Sequence, residues 1–119
     1  MEYEKLALKI GAVKAGLAPV SPPVLKGSSG VEHRFTLLFS RGATLYGFDF
    51  YESVTEVDVI KSYIKKYDSR AVVNMVCLSE KTPETAGRLA IEYGMRILSP
   101  AAAANLFVLE TAVSRSPFS

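Results

Sequence analysis

Residues Ala71–Pro100, AVVNMVCLSEKTPETAGRLAIEYGMRILSP, read as strand, helix, strand, and this reading decides the class of the fold. Ala71–Leu78 is apolar at nearly every position, with Asn74 the main interruption and Val72, Val73 and Val76 favouring a strand. A strand apolar on both faces is expected at the centre of a sheet covered on both sides. Val73, Met75 and Cys77 should face one helix layer, and Val72, Val76 and Leu78 the other. Thr82 offers an N-cap oxygen, and Pro83 suits the first helical position because its missing N–H is not needed there. Ala86, Leu89, Ala90 and Tyr93 form one stripe for burial. Gly94 sits where a left-handed residue ends a helix. Met95–Leu98 is the second strand, and a unit of this length predicts a right-handed parallel crossover.

Upstream, Ser53 and Thr55 each have an acidic residue three positions on, Glu56 and Asp58, so both offer a capping box. The helix they open is expected to run to Tyr67, burying Val57, Ile60, Ile64 and Tyr67 and turning Lys61, Lys65 and Lys66 outward. Before it, Val31–Ser40 and Ala43–Tyr51 flank Arg41–Gly42, the pattern of a hairpin with a two-residue turn. Residues 2–17 suggest an amphipathic helix with Leu6, Ile10, Val13 and Leu17 on one side. Lys5, Lys9 and Lys14 lie on the other, read as a solvated face. Ala18–Gly30, rich in Pro, Gly and Ser, is a long loop or an edge segment followed by a turn. Downstream, Ser99 and Pro100 repeat the cap-plus-proline signal, and Ala101–Val113 forms an unusually apolar last helix. The order predicts an α/β fold of three layers, α/β/α, with a mixed sheet.

The chain of 119 residues suits one domain, 1–119, with 114–119 a frayed tail. A net charge of +2 is too small to argue for nucleic acid by itself. The lone cysteine, Cys77, forms no internal disulfide and reads as a core residue, which fits a reducing cytoplasm. No signal peptide is expected, since Met1–Lys5 carries two glutamates and no long apolar run follows. No stretch approaches the ~20 apolar residues of a membrane span.

Gly27–Thr36 (GSSGVEHRFT), Val57–Asp68 and Thr82–Pro100 together resemble the restriction-endonuclease-like domains of the Mrr and archaeal Holliday-junction-resolvase kind, over roughly residues 25–108. The resemblance implies a nuclease fold and a Mg²⁺ site. In such domains an acidic residue near the end of the first hairpin strand and another in the second hold the metal, and a Lys two residues later orients the attacking water. Hard Mg²⁺ needs oxygen ligands and then activates water against the phosphate. This chain departs from that pattern. Thr36 stands at the first acidic position, Asp49 is followed two residues on by Tyr51, and Glu52 by Val54. The expected metal site is therefore dismantled, and no cofactor is expected.

Several polar residues stay open to two readings. His33 is a relic of the site or a half-exposed structural residue. Asp49 holds a metal with Glu32, or pairs with Arg34 or Arg41 across the hairpin, which is the simpler reading. Gly27–Gly30 is a phosphate nest or a plain turn. One Cys and one His make no zinc site, and a Ser–His–Asp hydrolase lacks its nucleophile elbow. Three functions follow. The first is a catalytically inactive nuclease-fold domain acting as a binding or structural subunit beside nucleic acid, with Lys26, Arg34, Lys61 and Lys65 as its contacts. The second is an active Mg²⁺ nuclease with a migrated site of Glu32, Asp49 and Glu52. The third is a structural or small-molecule-binding α/β domain. The apolar last helix is expected to dock on a second copy, as a homodimer, or on a partner protein.

Overall fold

In a computed structural model the chain forms the expected α/β architecture; residues 2–79 and 83–114 are described, the side chains of 108–114 excepted. Four helices and seven strands follow one another as α1 (Glu2–Lys14), β1 (Ala18–Pro19), β2 (Val24–Lys26), β3 (Glu32–Arg34), β4 (Leu37–Arg41), β5 (Thr44–Tyr51), α2 (Glu56–Ser69), β6 (Val72–Cys77), α3 (Glu84–Glu92), β7 (Arg96–Leu98) and α4 (Pro100–Ser114). The main sheet has the order β1-β4-β5-β6-β7. β1, β4 and β5 pair antiparallel, whereas β5, β6 and β7 run parallel.

β6 is an interior strand, flanked by β5 and β7, as its two-sided apolar sequence requires. Val76 and Leu78 pack towards α1 and α4 in a core with Leu8, Phe48 and Phe107. Met75 and Cys77 pack towards α2 and α3 with Val59, Ala86 and Ala90. Val72 lies on the first face but is exposed. Around α3 the stripe Ala86, Leu89, Ala90 and Tyr93 turns inward, and Gly94 takes a positive φ of 68°. Thr82, the expected cap of α3, lies outside the described residues. Ser99 does cap α4, its Oγ accepting from Ala102 N at 3.1 Å. Of the two cap candidates for α2, Thr55 is used, in a reciprocal capping box with Asp58.

Three expectations are corrected. The first hairpin strand is broken. Its start, β3, pairs with β2 in a separate two-stranded sheet, and only β4 pairs with β5. The break falls at Thr36, whose N–H bonds Phe48 O while its Oγ1 accepts from Phe50 N, so the side chain substitutes for part of the ladder. The turn is Gly42–Ala43, one residue later than expected, with Gly42 at φ 60°, the glycine-first pattern of a type II′ turn.

The second correction concerns α1, which buries Leu8, Gly11 and Ala12 and leaves Leu6, Ile10 and Val13 in solvent. α1 crosses α4 so closely that a Cβ on Gly11 would lie 2.9 Å from Ala104 O, and only the small-residue face permits that approach. The third concerns α2. Val59 and Ser62 are buried and Tyr63 and Lys66 partly covered, while Val57, Ile60, Ile64 and Tyr67 face solvent, Ile64 at 52 % and Tyr67 at 77 % exposure. Lys65 and Lys66 also turn inward, leaving only Lys61 fully outward. The reason is polar: this orientation brings Ser62 and Lys65 to a carboxylate buried in β5. The apolar surplus expected beyond Phe107 in α4 lies outside the described side chains.

Candidate functional site

Asp49 lies in the middle of β5 between Phe48 and Phe50 and is only 4 % exposed. An ionised carboxylate there needs compensating donors. The Thr36 backbone N–H contributes, and α2 supplies the two side-chain donors. Lys65 Nζ donates to Asp49 Oδ1 at 3.0 Å, and Ser62 Oγ donates to Oδ2 at 3.1 Å. Asp49 is thus paired with Lys65, not with Arg34 or Arg41 as expected from the hairpin. Tyr51 OH lies 3.2 Å from Ser62 Oγ, and since that hydroxyl gives its proton to Asp49, the phenol donates to the serine. Burial, together with the nearby Asp49, pushes the Tyr51 phenol up to about 12, so it stays a neutral donor. Burial also raises the Asp49 pKa, with Lys65 and Ser62 pulling the other way. Lys65 is held further by Arg34 O at 2.6 Å and sits 5.1 Å over the Phe35 ring.

These groups border an open cleft of about 550 Å³, lined by Lys5, Arg34, Phe35, Thr36, Asp49 and Lys65 among others. Among the described residues three cations and one carboxylate line it. The fold does bring Thr36 and Asp49 together, the two positions at which a pair of metal-binding carboxylates was expected, and Lys65 joins them from a helix rather than from the strand. Among the described residues no three His, Cys, Asp or Glu side chains are placed to share a metal ion. Glu32 is exposed on β3, cross-strand from Lys26, and Glu52 is exposed just after β5, so neither joins Asp49. Of the expected nucleic-acid contacts, Lys26, Arg34 and Lys61 face solvent, while Lys65 is bound within the chain.

Sequence reasoning looked for a lysine two residues after Asp49 and missed the one on α2. The available signal was the aspartate itself: an acid in an otherwise apolar strand demands a donor, and Ser62 and Lys65 lie three apart on the next helix.

His33 is buried, not half-exposed, and belongs elsewhere. Its Nε2 meets Asp68 Oδ2 at 2.6 Å, the same oxygen that accepts from Ser29 Oγ at 2.6 Å. Ser29 N donates to Asp68 Oδ1 at 2.9 Å, and Ser28 N to Asp68 O at 3.0 Å. The turn at 27–30 is therefore a nest filled by the chain's own carboxylate. A Cβ on Gly27 would fall 1.9 Å from Asp68 Oδ2 and would displace the carboxylate from these bonds. Hydrogen bonds from Ser29, then from His33, pull the Asp68 pKa down to about 2. Ser29 bonds the carboxylate rather than the imidazole, so this trio activates no nucleophile.

No family model, curated protein or solved structure matches the chain. No described helix is long and apolar enough to cross a membrane.

Proposed function

We propose that the chain is a nuclease-fold domain without metal-dependent catalysis, which binds the phosphate backbone of nucleic acid at the cleft over Asp49. One observation carries the reading: both oxygens of Asp49 are occupied by donors of the chain itself, and the Lys65 ammonium takes the cation's place beside them. Thr36 contributes a hydroxyl where a second ligand carboxylate would be needed, and that hydroxyl already accepts from the Phe50 N–H. Lys5 and Arg34 on the rim supply the positive charge that a phosphate backbone requires. The buried lone thiol, Cys77, suits action in a reducing cytoplasm.

Self-association belongs to the same reading. Docking of a second copy or a partner protein on α4 is supported by the exposed Ala101 and Ala102, and the solvent-facing stripes of α1 and α2 add apolar surface. Light scattering at micromolar concentration, with Ala102→Glu beside the native chain, decides it: a homodimer that the substitution dissociates is the expected result, and a monomer in both removes the homodimer.

The function is tested with duplex, branched and single-stranded DNA, each with Mg²⁺ and with Mn²⁺, alongside gel shifts at low and moderate salt. The expected outcome is no cleavage and a complex that weakens with salt. Arg34→Ala should lower the salt slope by about one. Cutting that is lost on Asp49→Ala would restore an active site, and absence of both cutting and binding would remove nucleic acid from the function.

A further inference from the structure

A second cavity lies at the other end of the parallel strands, and it is larger, about 710 Å³. Its wall contains Lys66, Arg70 and Arg96, and among the described residues no carboxylate. Cavities of this size are typical of small-ligand sites. Phe48, Asn74 and Arg96 are cross-strand neighbours on β5, β6 and β7, so Asn74 and Arg96 stand side by side on the sheet face that Phe107 of α4 covers. Tyr46 is next to Val72 one step nearer the strand starts, and its ring meets that of Phe107 edge-on at 5.6 Å.

Two features mark its wall. Asn74 is only 5 % exposed, interrupts an apolar strand and lines the cavity, and among the described residues its amide makes no side-chain hydrogen bond. The amide is not among the atoms sealed from water without a partner, so it opens onto the cavity, where a ligand can bond it. Arg70 closes α2 in the left-handed region at φ 61°, a position where glycine is the ordinary choice. Its side chain is on the cavity wall. Lys66 spends two of its three protons on Tyr93 O and Gly94 O, at 3.2 and 3.1 Å, and keeps one.

The geometry points to a binding site for a mononucleotide in this cavity. The three cations, with no acid beside them among the described residues, suit a phosphate dianion. The Asn74 amide presents a donor and an acceptor in one plane, which is what the edge of a base offers in return. The partly exposed Tyr46 gives the base an aromatic wall, held in place by the buried Phe107 ring behind it. The site is separate from the Asp49 cleft and shares no lining residue with it, so it stands or falls independently of the function proposed above.

The test is isothermal titration of the whole chain with AMP, GMP, CMP and UMP, and with inorganic phosphate. Saturable binding of at least one mononucleotide is expected, with inorganic phosphate at least about ten-fold weaker. Arg96→Ala and Asn74→Leu should each weaken nucleotide binding by about ten-fold, the size of one lost charged or buried hydrogen bond. Arg70→Gly is the sharpest variant: it relieves the left-handed backbone, so it should melt no lower than the native chain while binding more weakly. No saturable binding to any of the four nucleotides, or binding untouched by Arg96→Ala and Arg70→Gly, would overturn the site. Inorganic phosphate binding as tightly as the nucleotides would overturn the ligand class.

Discussion

Asp49 and Lys65 form an ion pair at 3.0 Å between the centre of the sheet and the helix that covers it. The carboxylate is almost fully enclosed, whereas the lysine keeps about a fifth of its side chain in solvent, 21 %. Desolvating both charges offsets much of their attraction, so the pair contributes more to the orientation of α2 than to net stability. Its partners set the rotation of that helix: with Ser62 and Lys65 facing Asp49, Ile60 and Ile64 have to face outward.

Breaking one half of the pair should therefore cost far more than replacing both. Lys65→Met leaves Asp49 buried with Ser62 as its only side-chain donor, and a loss of about 3 kcal/mol is expected. Asp49→Leu combined with Lys65→Met should recover most of it. Urea denaturation of the two singles and the double gives the coupling directly. Strictly additive losses would show that the contact carries no such energy.

The rotation of α2 has its own test. Val59 is fully buried between α2 and β6, so Val59→Asp should prevent folding, because an unpaired buried charge costs several kcal/mol. Ile60→Glu with Ile64→Glu should change stability by under about 0.5 kcal/mol per site, as exposed substitutions do. Thermal melts that rank these variants in the reverse order would put the helix the other way round.

Acid should act on the loop at 27–30. The Asp68 pKa falls from 3.8 to about 2 in the folded chain. A lowered carboxylate pKa stabilises the fold above the ordinary value and loses that contribution as the pH falls from about 4 to 2. Asp68→Asn should be less stable at neutral pH and lack this share of the acid limb. Asp49 has the opposite sign: its raised pKa means that ionisation costs stability as the pH rises through the ordinary carboxylate range. Melting temperatures from pH 2 to pH 7, with and without Asp68→Asn, separate the two.

Gly11 should tolerate no side chain. Gly11→Ala would press its methyl against Ala104 O, backbone that cannot rotate away, and a loss of about 1–3 kcal/mol is expected despite alanine's better helix propensity. A more stable Gly11→Ala variant would mean that α1 and α4 are not in such close contact.

The parts of this fold legible in the sequence are those whose signals are local. β6 announced itself by being apolar on both faces, Thr55 and Asp58 by their three-residue spacing, and Gly94 by its place after a buried stripe. The rotation of α1 and α2 was not legible. Leu6, Ile10, Val13 and Leu17 repeat at helical spacing, as do Val57, Ile60, Ile64 and Tyr67, yet of all these only Leu17 is buried. Periodicity shows that an apolar face exists without saying what it meets. The inner faces were masked because Gly11 and Ala12 are small and Ser62 and Lys65 are polar. The site was half legible: Asp49 and Thr36 were located, but the Lys65 partner lies 16 residues from Asp49 and is joined to it only by the packing of α2.

The contact of Gly11 with Ala104 joins the first helix of the chain to the last. On a ribosome that order matters. α1 is made well before the surface that closes over Leu8 and Ala12, which includes Ala103 and Phe107. Chains elongate at about 5–20 residues per second, so α1 waits several seconds for its cover. During that interval Leu8 and the sheet face bearing Phe39 and Phe48 stay open to water, and a nascent chain stalled before α4 should be a substrate for holdase chaperones while the released chain is not.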